Sequence, residues 1–159
     1  MPLRIRWRSK EYISVALLFL GACGFYQILL VFISQYFLSI GNYIVVFLIP
    51  IGVTFALFIA ALIIYEAYLQ VERRERLKSQ YKKEKGGSSK MRRFLNFPIV
   101  RPLIILFTIF TPIFFITYFI CFIFLDNAFA FLIAEVLPSI ICLFVANYFE
   151  KNYAKIRRF

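Results

Sequence analysis

Four long apolar runs dominate the chain, and none of them alternates with a polar face. The first extends from Tyr12 to about Leu38, interrupted inside by Gln27, Ser34 and Gln35. The second covers Tyr43 to about Tyr65, the third Ile99 or Leu103 to Phe124, and the fourth Ala128 to Phe149. A helix needs about 20 residues to cross ~30 Å of hydrocarbon at 1.5 Å per residue, and each run is long enough. A helix that is apolar all round sits in lipid or deep inside a large core. A chain of 159 residues cannot enclose four such helices. The pattern therefore predicts an all-α polytopic membrane protein with four transmembrane helices.

The breaks between the runs give the connections. Ser39-Ile40-Gly41-Asn42 is a turn signal, in which Gly and Asn supply permissive backbone, and Asp126-Asn127 makes a second tight connection. These pair the helices as two helical hairpins. Between the hairpins the character changes. Val71 to Lys78 is charged and can continue the second helix into water, with Glu72 and Arg76 as an i,i+4 pair. Gly86-Gly87-Ser88-Ser89 reads as a flexible break, and Pro98 and Pro102 mark the start of the third helix. Pro112 near the middle of that helix predicts a kink, a common feature in membranes. The predicted organisation is a basic N-terminal segment (1–11), a first transmembrane hairpin (12–69), a basic loop (70–97), a second hairpin (98–149) and a basic tail (150–159).

Composition agrees with lipid as the solvent: 62% of residues are hydrophobic and 17% charged, against about one half and one quarter in a soluble domain. The net charge of +11 suggests nucleic acid until the charges are placed. Every Lys and Arg lies in the N-terminal segment, in or beside the middle loop, or in the tail; the two short connections have none. With four crossings these three basic segments fall on one side. The positive-inside rule makes that side cytoplasmic, or the matrix or stroma of an organelle, with both termini on it. The membrane is then a plasma membrane or an organellar inner membrane. Trp7, Tyr12, Tyr65, Tyr68, Tyr148 and Tyr153 at that side, with Tyr36 and Tyr43 opposite, fit aromatic belts. The basic start is followed by an apolar stretch too long for a signal h-region, so the first helix is expected to be retained.

The chain also admits an internal repeat. Tyr65-Glu66 with Arg73-Arg74 and Phe149-Glu150 with Arg157-Arg158 stand at one offset, which also relates Asn42 to Asp126 and Arg8 to Arg92. Duplicated hairpins would form a parallel repeat about an axis along the membrane normal. Helices that each end at a cytoplasmic interface produce the same features without duplication.

Two polar residues lie deep within the runs. Glu135 stands about seven residues into the fourth helix, roughly 10 Å below the outer interface. A charged carboxylate at a helix centre costs of order 2.5–3.5 kcal/mol on insertion scales, so Glu135 requires a proton, a partner or a polar cavity. Its candidate roles are a proton or cation site, or a hydrogen bond to Gln27, Ser14 or another subunit. Gln27, near the middle of the first helix, is expected to act as a cross-helix hydrogen-bonding group. Glu66 and Glu150 read as interfacial.

Small residues mark the predicted packing faces: Gly21 and Gly24 on the first helix, Gly52, Ala56 and Ala60 on the second, and Ala130, Ala134, Cys142 and Ala146 on the fourth. Small-xxx-small spacing lets backbones approach where lipid supplies no hydrophobic drive. The basic positions Arg73, Arg74, Lys82, Lys83, Lys85, Arg92 and Arg93 are candidates for anionic lipid headgroups, at ~1 kcal/mol per basic residue, or for a partner. Interleaved Glu72, Glu75 and Glu84 disfavour a phosphate clamp, and with it nucleic acid.

The chemistry-bearing motifs are missing. The chain has no histidine, no phosphate loop, no nucleophile elbow and no acid cluster, and its cysteines (Cys23, Cys121, Cys142) are separated inside apolar runs. No catalytic residue, cofactor or metal is predicted. The expected function is a non-catalytic accessory or structural subunit of a multi-subunit membrane complex, packing through the small-residue faces. The alternatives are a small oligomeric proton- or cation-coupled transporter or channel using Glu135, and a membrane anchor recruiting anionic lipid or RNA through the basic loop.

Overall fold

A computed structural model describes the backbone of residues 10–36, 43–79 and 99–155, and the side chains of 12–36, 44–69 and 99–152. The turn at 39–42 and the basic positions Lys82, Lys83, Lys85, Arg92 and Arg93 lie outside the described residues. So do the side chains of Arg73 and Arg74. The described residues form four helices: α1 (Lys10–Tyr36), α2 (Tyr43–Ser79), α3 (Val100–Phe124) and α4 (Asn127–Lys155). All four are long and apolar enough to cross a membrane, over Tyr12–Tyr36, Ile44–Leu69, Val100–Phe124 and Asn127–Asn152. By length and composition the chain is a multi-pass integral membrane protein.

The boundaries follow the sequence closely. α2 runs on to Ser79, so the charged stretch Val71 to Lys78 continues the helix beyond the apolar span. α3 ends where Leu125 turns to an extended conformation, its N–H bonded to the Cys121 carbonyl at 2.9 Å. The Asp126 carbonyl then accepts the Ala130 N–H at 2.9 Å and starts α4. Pro50, Pro112 and Pro138 all lie within helices. Each removes one backbone donor, a loss tolerated in membranes where hydroxyls and neighbours compensate. Around two of them a threonine donates into its own helix: Thr54 to the Pro50 carbonyl and Thr111 to the Phe107 carbonyl, both at 2.7 Å.

Burial restores the helical period that the sequence conceals. α1 buries Ala16, Phe19, Cys23, Gln27, Leu30 and Ser34, at spacings of three and four. α3 buries Leu106, Phe110, Phe114 and Tyr118, a strict four-residue row. α4 buries Ala130, Ala134, Cys142 and Ala146 completely. The most extensive contact is α2 against α4, followed by α3 against α4 and α1 against α2. α2 touches all three other helices, and α4 packs against α2 and α3, its small side chains admitting bulky ones from its neighbours. Phe114 meets Phe131 edge-on at 6.1 Å, and the Cys142 thiol lies 4.0 Å from the Leu106 carbonyl. On α3 itself Phe110, Phe114, Tyr118 and Phe122 stack in sequence, with centroids 5.9–6.5 Å apart. Each helix also carries exposed large apolar side chains, such as Leu17, Phe25, Ile59, Phe119 and Phe144, which need an apolar solvent.

The small residues differ in their surroundings. Ala60, Ala130, Ala134, Cys142 and Ala146 are fully buried, whereas Ala56 is half-buried. Gly21 and Gly52 are exposed, Gly24 is half-buried, and a Cβ at any of the three would meet nothing within 4 Å. Overpacking a close-packed interior costs about 1–3 kcal/mol. Ala134→Leu should therefore destabilise the purified protein by that amount in reversible unfolding, and Gly52→Leu by less than about 0.5 kcal/mol. Equal losses from the two would contradict the close packing of the α4 face at Ala134.

Candidate functional site

The polar groups of the interior divide into those with partners and those without. Ser34 donates to the Val31 carbonyl at 2.8 Å and Ser139 to the Val136 carbonyl at 2.7 Å. Both hydroxyls are therefore satisfied by their own helices. Tyr26 of α1 bridges to α3, its hydroxyl 2.8 Å from the Thr111 hydroxyl. Thr111 gives its one hydrogen to Phe107, so Tyr26 is the donor. The Tyr26 ring stacks on Phe107 at 4.2 Å and 10° and meets Phe110 edge-on at 5.8 Å. This aromatic clasp, with its hydroxyl bond, ties α1 to α3. The sequence signal was a tyrosine in mid-run beside Gln27, a position no interfacial belt explains.

Glu135 and Gln27 are different. Glu135 projects from α4 with 0% exposure, and Gln27 from α1 with 2%. Gln27 is the amide that faces the Glu135 carboxyl. None of their four side-chain oxygen and nitrogen atoms completes a hydrogen bond, and the Gln35 amide nitrogen is likewise buried and unpartnered. A buried polar atom without a partner costs about 1–3 kcal/mol. Among the described residues no cation offsets Glu135: the cationic side chains there are Arg101 and Lys151, both at helix ends. Arg101 lies over the Tyr68 ring, 4.7 Å from its centroid. The structure thus brings together Glu135 and Gln27, the two deep polar residues picked out from sequence.

Glu66 is remote from this pair. It is half-buried near the end of the α2 span and accepts the Tyr12 hydroxyl at 3.3 Å. Tyr68 packs on Phe149 nearby at 6.2 Å. The cysteines are free, with Cys23 and Cys142 buried among apolar neighbours. Among the described residues no three His, Cys, Asp or Glu side chains converge, so the donor set around Glu135 does not resemble the six or more oxygens that hold calcium. What one carboxyl beside one amide can do is share a proton or hydrogen-bond a polar group that enters the interior.

A mostly apolar cleft opens beside Gln27. A cleft of about 650 Å³ lies between α1 and α2, lined by Gly24, Gln27, Ile28, Val31, Phe32, Gln35 and Tyr36 from α1. Phe47, Pro50, Ile51 and Thr54 of α2 form its opposite wall. Compared with protein families, characterised proteins and solved structures, the chain matches none.

If the carboxyl serves only packing, an apolar side chain of similar length should replace it without loss. Glu135→Met is then expected to leave unfolding free energy unchanged or to raise it by about 1 kcal/mol. A loss above about 2 kcal/mol would show that the carboxyl has a partner it cannot do without. Tyr26→Phe should cost about 0.6 kcal/mol, and no more than ~1.7, the range measured for interhelical hydrogen bonds in membranes.

Proposed function

We propose that this chain is a non-catalytic subunit of a larger membrane complex, folded as two helical hairpins with both termini on the cytoplasmic or matrix side. The observation that carries the reading is the position of Gly21 and Gly52. Both face outward, with nothing near the place where a Cβ would stand. A glycine gains nothing by facing lipid, but against another helix it lets the backbones approach. The paired use of small residues supports the same reading: alanines and a cysteine pack the chain's own interior, and glycines remain for contacts outside it. Support for the hairpins comes from α3 and α4, where Phe114 meets Phe131 and Leu106 meets Cys142, contacts that run in opposite directions along the two helices. Sidedness rests on the placement of the Lys and Arg residues.

The test is purification from native membranes in a gentle detergent, comparing the wild type with Gly21→Leu and Gly52→Leu. The wild type should elute in a particle with partners in fixed stoichiometry, and the leucine variants as folded chain without them. A wild-type particle that contains this chain alone would refute the subunit reading.

One observation favours a second reading, an oligomeric proton- or cation-coupled transporter. Glu135 is a fully buried acid with no cation beside it among the described residues, the kind of residue that marks proton relays in membranes. Flux into liposomes carrying the purified chain should then be present in the wild type and lost in Glu135→Gln. Equal flux from both would remove Glu135 from any transport mechanism.

A further inference from the structure

α1 packs chiefly on α2, touches α3 lightly and hardly meets α4 through its backbone. Across that gap the Gln27 amide faces the Glu135 carboxyl. All four of their side-chain oxygen and nitrogen atoms are closed off from solvent and complete no hydrogen bond. The other polar groups of this region are already engaged. Tyr26 bonds to the Thr111 hydroxyl, and Thr111 donates to the Phe107 carbonyl. Ser139 donates to the Val136 carbonyl, and the Cys142 thiol lies against that of Leu106. Charge is equally scarce. Phe131 meets Phe114 and Cys142 meets Leu106, so Glu135, between them on α4, stands level with residues 106–114 of α3. No ionisable side chain lies between Arg101 and Tyr118 on α3, or between Tyr43 and Tyr65 on α2. Those that α1 and α4 bring to this level, Cys23, Tyr26 and Cys142, are two thiols and a phenol, uncharged at neutral pH.

We propose that Glu135 and Gln27 form a proton-binding site, in which the Glu135 carboxyl holds one proton and shares it with Gln27 through a reciprocal pair of hydrogen bonds joining α1 to α4. The count of donors and acceptors carries the assignment. A protonated carboxyl is one donor and one acceptor, and a primary amide also supplies both. The acid O–H donates to the Gln27 carbonyl oxygen, the amide N–H donates to the other carboxyl oxygen, and all four orphaned atoms are engaged. A carboxylate only accepts. It would take an amide hydrogen and leave the Gln27 oxygen unpaired, set against a negative charge that no neighbouring cation offsets. A metal ion fits worse. Calcium and magnesium take about six or more oxygen ligands, and the pair offers two carboxyl oxygens and one amide oxygen. The contact between α1 and α4 at this level is therefore attractive with the proton and repulsive without it. This deepens the transporter reading, which rests on the same carboxyl, by naming the ion as a proton and Gln27 as the group that shares it.

Infrared spectroscopy of the full chain in phospholipid bilayers at neutral pH tests this, because a protonated carboxyl and a carboxylate absorb at different frequencies. Subtracting the Glu135→Gln spectrum from that of the wild type isolates the Glu135 carboxyl from the other acids. The expected difference is the carbonyl stretch of one protonated carboxyl, with no carboxylate band lost. Gln27→Met keeps the length of the side chain and removes its polarity. It should leave the acid protonated and move its band to higher frequency, since the carbonyl has lost the amide N–H. Gln35→Met, whose amide belongs to another part of α1, should leave the band in place. Where Gln27→Met does not fold, Gln27→Asn serves, because the shorter amide should also move the band upward. Loss of carboxylate bands in Glu135→Gln would overturn the proposal, and so would a Glu135 band that neither Gln27 variant moves. The readout needs no transport, so the two ideas fail separately. A protonated, hydrogen-bonded pair without flux into liposomes would remove the transporter reading and leave this site standing. Flux with an ionised Glu135 would do the reverse.

Discussion

Lipid removes the force that assembles soluble proteins. Leu, Ile and Phe gain little by leaving a hydrocarbon solvent for a protein interior of the same polarity, so helices in a bilayer associate through close packing and hydrogen bonds. In this chain the close packing runs along α4. Ala130, Ala134, Cys142 and Ala146 are completely buried there, and the low profile of that face lets α2 and α3 lie against it. The bulky residues of α3 fill the space those small side chains leave, which is why a phenylalanine row and an alanine row face one another. α1 is held differently, by α2 and by the Tyr26 clasp to α3.

On α4 the Ser139 hydroxyl bonds back to its own helix, whereas the Glu135 carboxyl of the same helix completes no bond. Near α1 lie Gln27, Gln35 and the opposing carboxyl of Glu135, all with buried atoms that complete no hydrogen bond among the described residues. Gln27 stands between two environments, the closed interior that holds Glu135 and the open cleft toward α2.

The four helices were legible because each apolar run is as long as a bilayer is thick, and Gly-Asn, Asp-Asn and the prolines mark where runs stop or start. Glu135 and Gln27 were legible because polar groups inside such runs stand out. The buried alanines of α4 showed in their four-residue spacing. What stayed hidden was the direction each helix faces. In a helix that is apolar all round, interior and lipid-facing residues have the same chemistry, so Phe110 and Phe119 look alike although one is buried and the other exposed. For the same reason Gly21 and Gly52 could not be distinguished from Ala60 before the helices were placed. The Tyr26–Thr111 bond joins residues 85 positions apart, and no local pattern announces it. Pro50 passed as an ordinary member of its run and Gln35 only as an interruption of the first, and no local pattern shows that both line the cleft between α1 and α2.

The central claim is that lipid surrounds these helices while Glu135 and the α4 seam lie shielded inside. Labelling the full chain in bilayers with a photoactivated carbene dissolved in the lipid tests this most directly, with modified residues read by mass spectrometry. The structure predicts strong labelling at Leu17, Phe25, Ile59, Phe119 and Phe144, which are exposed, and protection of Phe19, Phe110, Phe131 and Glu135, which are not. Labelling of Glu135 and Phe131 as strong as that of Phe25 would contradict the bundle.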